Sequence, residues 1–462
     1  MLTHLRVENF KAWGDSGPLR LAPLTVIFGA NSAGKSSLGH LLLALKQTAL
    51  SADRRRALHL GDEHSLIELG TFAECIHGHD LSRQLRFELG WSLPHGMEIR
   101  DPLSQARFSG DELHIEVALQ ADKREQPSVR HLGYELKREG LRELAIDYSR
   151  GPEGKLDIAS DQIKLVRNVG RGWPLDEPDK FYRISDQSRA RFQNADFLSD
   201  LALQTEAALA GIHYLGPLRD PPKRIYSWSG ETPESVGQRG ELTIAAILAA
   251  SSLGRKLSRG LRKHSYLFDA FIAQWLRELG VIDSFTVKSV AEGRKEYEVL
   301  LKTHASGSEV KLTDVGFGVS QVLPALTQPF YCQPHSTVWM EQPEIHLHPQ
   351  VQAALADVFI AAIKARENGR PRGVQLIIES HSEHMLNRIQ RRIAEGKLSE
   401  QDVAVYFCRR AGAGAELEPL RLNMFGEIEN WPENFFGDEM ADIAARTLAA
   451  MQRKRALVSE SR

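Results

Sequence analysis

Gly29-Ala30-Asn31-Ser32-Ala33-Gly34-Lys35-Ser36 fits the pattern GxxxxGK[ST] in full. Glycines at these places let backbone N–H groups turn inward as an anion nest. The helix that should follow adds the positive end of its dipole. Lys35 is placed to reach β- and γ-phosphates, and the Ser36 hydroxyl to ligate Mg²⁺, with Ser37 next in the first turn. The alternative, a chance Gly-rich turn, ignores the apolar run before it and the helical spacing after it.

A phosphate cradle of this kind needs an acidic strand end to complete the metal site. Thr337-Val338-Trp339-Met340 is a short apolar run that delivers Glu341 at its end. Gln342-Pro343-Glu344-Ile345-His346-Leu347-His348-Pro349 follows. The His346-x-His348 pair lacks a nearby third ligand, so metal ligation there is the weaker reading. A second apolar run, Leu376-Ile377-Ile378, leads into Glu379-Ser380-His381-Ser382. His381 is placed to meet a γ-phosphate, although Ser382 is also a good helix cap. Finally, Asp314-Val315-Gly316-Phe317-Gly318 precedes a helical stretch, and Gly316 and Gly318 permit close backbone approach. Alone, that GxG is as easily a structural turn.

These groups must be carried by definite elements. Leu24–Phe28 is continuously apolar with β-branched members, the pattern of a buried parallel strand. Leu38, Leu41, Leu42 and Leu45 mark one face of a helix from Lys35 to Lys46. Strands are predicted at Val338–Met340, Leu376–Ile378 and Val403–Phe407, with helices between them opening at Pro349 and near Glu383. Strands alternating with helices predict a parallel sheet. Between these halves the texture changes. Leu85, Phe87, Leu89 and Trp91 alternate with polar residues, as do Leu113–Leu119 and Leu144–Tyr148, which predicts antiparallel hairpins with one wet face. A helix is predicted over 195–210, a Pro-rich loop over Tyr214–Pro222, a helical region over 241–279 broken near Ser251–Gly254, and strands at Phe285–Val290 and Tyr297–Lys302.

The 58 Lys and Arg nearly balance the 60 Asp and Glu, so any nucleic-acid surface has to be a local patch. Arg54–Arg56 and Arg388, Arg391 and Arg392 are the candidates, but no aromatic residues interleave them, and a solvated helix face explains them better. Cys75, Cys332 and Cys408 are too scattered for a disulfide framework or a CxxC metal site. There is no signal-like N-terminus and no apolar run near the ~20 residues of a membrane span. A soluble, cytoplasmic protein is expected.

Taken together, the motifs resemble ABC-type ATPases of the SMC/RecF/OLD group. The resemblance covers about residues 1–80 and 305–410 and rests on the P-loop, Val315-Gly316-Phe317-Gly318 as signature, Glu341 as Walker B acid and His381 as switch histidine. It implies an α/β P-loop NTPase: an ABC-ATPase head with a mixed sheet, interrupted by a β-rich and helical lid insertion. The corresponding divisions are 1–80 and 305–420 for the two ATPase lobes, 81–304 for the insertion and 421–462 for a C-terminal segment of unknown role. The Tyr214–Pro222 loop and Trp431-Pro432-Glu433-Asn434-Phe435-Phe436 in that segment look like a bacterial subfamily whose relatives often serve in anti-phage defence, with a separate nuclease or toxin as effector. The resemblance further implies ATP and Mg²⁺ as ligands, and a homodimer or higher oligomer in which each P-loop faces the other chain's signature.

Two departures bear on rate. Gln342 stands where the family has its general base, and Gly316 where it has a serine. Gln342 can still orient water, with Glu344 or His381 accepting the proton, so turnover at or below ~1 s⁻¹ is expected. No Asp-x-Asp pair occurs, so a Toprim-type nuclease centre is not expected in the chain itself. A DNA-bound repair or clamp protein, and a nucleotide sensor that does not hydrolyse, are the other readings.

Overall fold

Strand Leu24–Gly29 is buried along its whole length, and its side chains divide between two cores. Ile27 points to one, and Val26 and Phe28 to the other. The computed structural model describes residues 1–151, 154–170, 172–412, 414–432, 435, 446, 448 and 449. In it Leu24–Gly29 lies inside a six-stranded sheet. Across this sheet run Ile212–Leu215, Thr337–Glu341, Gln375–Glu379, Leu24–Gly29 and Val403–Ala411, all parallel. Gly414–Leu420 closes it, antiparallel to Val403–Ala411. Strands covered on both faces should read as unbroken apolar runs, and Val338–Met340, Leu376–Ile378 and Val403–Phe407 do.

Helix Lys35–Leu50 covers one face. Its Leu38, Leu41, Leu42 and Leu45 share a core with Trp339, Ile377 and Tyr406 of the six-stranded sheet (the nucleotide sheet below, after the site its strand ends form), and with a second sheet beyond. Helices Phe317–Tyr331, Pro349–Lys364 and Glu383–Ala394 cover the other face. Val322, Leu355, Val358 and Ile389 pack there with Val338, Met340 and Ile378.

The second sheet is antiparallel and eight-stranded. Leu2–Phe10 pairs with Leu85–Arg100, followed by Arg107–Ala121, Pro127–Arg138, Leu141–Arg150 and Leu156–Ala159. The expected boundary at residue 80 therefore falls inside one sheet: the N-terminal strand belongs with the alternating strands placed in the insertion. Likewise Ile212–Leu215, from the middle of 81–304, is an edge strand of the nucleotide sheet.

The expected helical region at 241–279 is two helices, Thr243–Ser252 and Phe268–Glu278, with the antiparallel pair Lys256–Ser258 and Ser265–Leu267 between them. Helix Phe197–Ala210 packs against the P-loop helix, where Lys46 Nζ donates to the carbonyls of Ala210 and Ile212 at 3.0 and 2.6 Å. Phe435 meets Phe28 and Phe407 edge-on at 5.8 and 4.7 Å, so that aromatic is packed onto the nucleotide sheet. Glu433, Asn434 and Phe436 lie outside the described residues. Among the described residues no helix is long and apolar enough to cross a membrane.

Candidate nucleotide site

The P-loop turns where the sequence permits it. Gly29 has φ +145°, and a Cβ there would stand 2.1 Å from the Cys408 carbonyl oxygen of the neighbouring strand, so no other residue fits. Gly34, at φ +101°, opens the helix with no side-chain cap. The N–H groups of Lys35 and Ser36 are thus left for an anion, while that of Ser37 turns back to the Gly34 carbonyl at 3.1 Å. Ala30, Asn31 and Ser32 are exposed, and Ala33 is buried. The Lys35 ammonium is buried and donates to the carbonyls of Gly29 and Ala30, both at 2.9 Å. Burial pulls its pKa below the ordinary lysine range, and Glu379 is the strongest of the charges opposing that shift.

Glu341 and Glu379 end adjacent parallel strands and are register partners. The Ser36 hydroxyl, expected beside Glu341, donates to Glu379 Oε2 at 2.9 Å. The other Glu379 oxygen accepts from Trp339 Nε1 at 3.0 Å. Glu341 accepts from the Tyr214 hydroxyl at 2.8 Å, and His40 Nε2 lies 3.8 Å from it. Burial pushes both carboxyls above the usual range, and for Glu379 the nearby Glu341 charge adds to it. Two buried, mutually repelling carboxylates beside a hydroxyl form a hard-oxygen donor set that suits Mg²⁺. Among the described residues no group of three or more His, Cys, Asp or Glu could hold a metal ion alone. Phosphate oxygens and water would have to complete the shell. Glu379 and Tyr214 were missed in the sequence; the signal for Glu379 was the one used for Glu341, a carboxylate ending a buried apolar strand.

Gln342 holds a left-handed backbone, φ +43°, unusual for a non-glycine residue, and its N–H donates to the Glu379 carbonyl at 2.8 Å. Glu344 is buried. Its Oε1 accepts from the Ser380 hydroxyl at 2.8 Å and from His381 N–H at 2.7 Å, while Oε2 has no hydrogen-bond partner. Burial raises the Glu344 carboxyl, against the pull of those bonds. The His381 ring is held below the usual imidazole range by partial burial and by the Lys35 ammonium. Ser382 caps the next helix, accepting from Met385 N–H at 3.2 Å. The capping and histidine readings of that turn are therefore compatible.

Gly316 precedes helix Phe317–Tyr331 and is exposed. A Cβ on Gly318 would stand 3.7 Å from the His346 carbonyl, so this glycine lies against the loop that follows Glu341. His348 caps helix Pro349–Lys364, accepting from Gln350 N–H at 3.3 Å, which accounts for half of the HxH pair. Arg388 and Arg392 pair with Asp357, and Arg391 pairs with Glu395. Arg56 pairs with Asp53 at 3.5 Å. These pairings reduce the case for a DNA-binding patch. All three cysteines are free and buried.

Residues 261–386 match the family model described as AAA ATPase domain, and residues 398–445 match a family described as a protein of unknown function, DUF3696. No curated protein matches the sequence. Among solved structures, an SMC head bound to the C-winged helix domain of ScpA aligns with TM-score 0.41 and 11% identity over 91% of this chain and 98% of that one. The SMC head domain from Thermotoga maritima aligns with TM-score 0.41 and 9% identity, covering 91% and 99%. An SMC head from Pyrococcus furiosus, with an extended coiled coil and bound to the C-terminal domain of ScpA, gives TM-score 0.39 and 10% identity, covering 91% and 96%. The chain thus joins a mixed α/β architecture, with a P-loop after a buried parallel strand, to one stretch similar to an AAA ATPase domain and another similar to the DUF3696 family.

Proposed function

We propose that this chain binds ATP with Mg²⁺, hydrolyses it slowly, and uses the cycle to switch a two-chain assembly that drives a separate effector. The observation that carries the reading is the Ser36–Glu379 hydrogen bond, with Glu341 in register beside it, at the mouth of the P-loop. Lys35 and the N–H groups of Gly29–Ser36 would hold the phosphates. Ser36, Glu341 and Glu379 would hold Mg²⁺. When bound, the ion neutralises charge on the phosphate oxygens.

The chain's own residues then have distinct tasks. Gln342 orients the attacking water, which bonds to the γ-phosphorus as the bond to the ADP oxygen breaks. Glu344 takes the water's proton on its unpaired Oε2, its buried carboxyl being raised toward the range a general base needs. His381, held neutral beside Lys35, is the second acceptor. Gly316 and Gly318 of a second chain would close the site, so that nucleotide occupancy becomes association energy. The effector carries the downstream chemistry, as in the bacterial defence ATPases that the sequence resembles.

The test is light scattering with and without ATP-Mg²⁺, together with phosphate release. The reading expects a larger mass with nucleotide and slow turnover that Glu341→Ala removes. An unchanged mass for wild type and Lys35→Ala alike would take away the switch.

A further inference from the structure

Strand Ile212–Leu215 runs parallel to Thr337–Glu341, with Leu215 beside Met340. The loop after it therefore leaves the sheet at the edge where the acids stand, the edge at which open α/β sheets bind ligands. That loop is pinned: Gly216 N–H donates to the Gln238 carbonyl and Asp220 N–H to the Arg239 carbonyl, each at 2.8 Å. Between these anchors sits Arg219, only 6% exposed. Its Nη2 makes one long bond, 3.4 Å, to the Glu341 carbonyl, and its Nε and Nη1 have no hydrogen-bond partner. Burial pulls its pKa down to about 10, against the attraction of Tyr214, Glu341 and Glu344. A buried guanidinium with two idle nitrogens is expensive to keep unless an anion arrives to meet it. Its planar fork matches phosphate oxygens, and the pinned loop fixes its direction.

We propose that Arg219 is a phosphate-contacting residue of the nucleotide site, binding the terminal phosphate and so favouring a nucleoside triphosphate over a diphosphate. The proposal rests on the ATP reading above. Lys35 enters from the P-loop and Arg219 from the far side of the Walker B strand, so the two cations flank the acids from opposite sides of the sheet edge. Tyr214, on the same segment, holds Glu341.

The experiment measures equilibrium binding of a non-hydrolysable ATP analogue and of ADP, both with Mg²⁺, to wild type, Arg219→Gln, Arg219→Lys and Lys35→Ala. Thermal melts without nucleotide run alongside. Arg219→Gln should weaken the ATP analogue about 10- to 100-fold while leaving ADP unchanged. Its melting temperature without nucleotide should hold or rise, because an unpaired buried charge is gone. Arg219→Lys, which keeps the charge but loses the fork, should fall between. Lys35→Ala should lose both nucleotides. A fall in melting temperature, failure to fold, or parallel loss of ATP analogue and ADP in Arg219→Gln would make the guanidinium a structural counter-charge for Glu341 and Glu344, and overturn the proposal. Unchanged binding of both would overturn it as well. In each of those cases the wild type still binds nucleotide; a wild type that binds neither ligand removes the ATP reading itself, and the Arg219 proposal with it.

Discussion

In the nucleotide sheet, every residue of Thr337–Glu341 and Gln375–Glu379 is buried, and the ionisable side chains are confined to the last position of each strand. In the antiparallel sheet, Leu85, Phe87 and Leu89 are buried while Arg86 is exposed, and the wet face carries charge along its length. There His4 lies near Glu88, His114 near Glu112 and His131 near Asp147. The same residue types thus behave differently. Glutamates at the end of a doubly covered sheet repel each other in low dielectric and create a need for a cation. Glutamates on a half-wet sheet find partners or water, and create no such need. Catalytic potential comes from burial without compensation.

The largest test of that contrast is Lys35→Ala, the cation within the buried set. It should lower affinity for ATP-Mg²⁺ by about two orders of magnitude or more, read by fluorescent-nucleotide titration. Lys137→Ala, on the wet face beside Glu135, should leave that affinity unchanged. Equal effects would dissolve the distinction between the two sheets.

Next come the strand-end carboxylates. Glu379→Ala and Glu341→Ala should each weaken Mg²⁺ by about 10- to 100-fold or more, seen as loss of phosphate release at Mg²⁺ concentrations that saturate the wild type. If turnover survives Glu341→Ala but not Glu379→Ala, the metal belongs to the strand beside the P-loop alone.

A paired glycine substitution tests packing. Gly39 sits in the P-loop helix, where alanine would ordinarily add about 1 kcal/mol of stability. A Cβ there would stand 2.4 Å from the Trp339 ring, which is buried beneath it. Gly39→Ala should therefore destabilise by about 1–3 kcal/mol in denaturant titrations. In the antiparallel sheet, a Cβ on Gly133 would meet the His131 ring at 3.2 Å, which can move, and the Glu116 Cβ at an ordinary 3.8 Å. Gly133→Ala should fall within about 0.5 kcal/mol of wild type. A neutral Gly39→Ala would mean that the helix can slide over Trp339.

What could be read in advance divides along the same line. The P-loop, the alternation of Leu85–Trp91 and the helix Glu383–Ala394 are local patterns, and the chain carries them where the spacing predicts. Glu379, Tyr214 and Arg219 matter only because Gln375–Glu379 pairs with the P-loop strand and Ile212–Leu215 with Thr337–Glu341. Strand order is a long-range property that periodicity does not encode. Ile212–Leu215 is also only four residues long and runs into Gly216-Pro217, so it reads as the start of a loop. The pairing across residue 80 is hidden for a related reason: the alternation in Leu2–Phe10 marks a half-buried strand, but not that its partner begins at Leu85.

The smallest effect belongs to the wet face. His131 Nε2 lies 2.5 Å from Asp147, with Glu116 at 4.0 Å from the other ring nitrogen and Arg86 opposing. The bond to Asp147 raises the His131 pKa, and the same bond lowers that of Asp147. A raised histidine stabilises fully below its unfolded value and loses that contribution as pH rises through the folded value. A lowered aspartate stabilises above its unfolded value and loses it as pH falls through the folded one. The pair therefore contributes between those limits, across mildly acidic pH. Half of the Asp147 side chain is exposed, so solvent holds the contribution to about 0.2–1 kcal/mol. Asp147→Asn should lower stability by that amount near pH 5.5 and by nothing near pH 9, and ~1 M salt should shrink the difference at acidic pH. A loss that persists at pH 9 would mean that Asp147 supports the hairpin through neutral hydrogen bonds. The wet face would then share the dependence on fixed polar geometry seen at the nucleotide site.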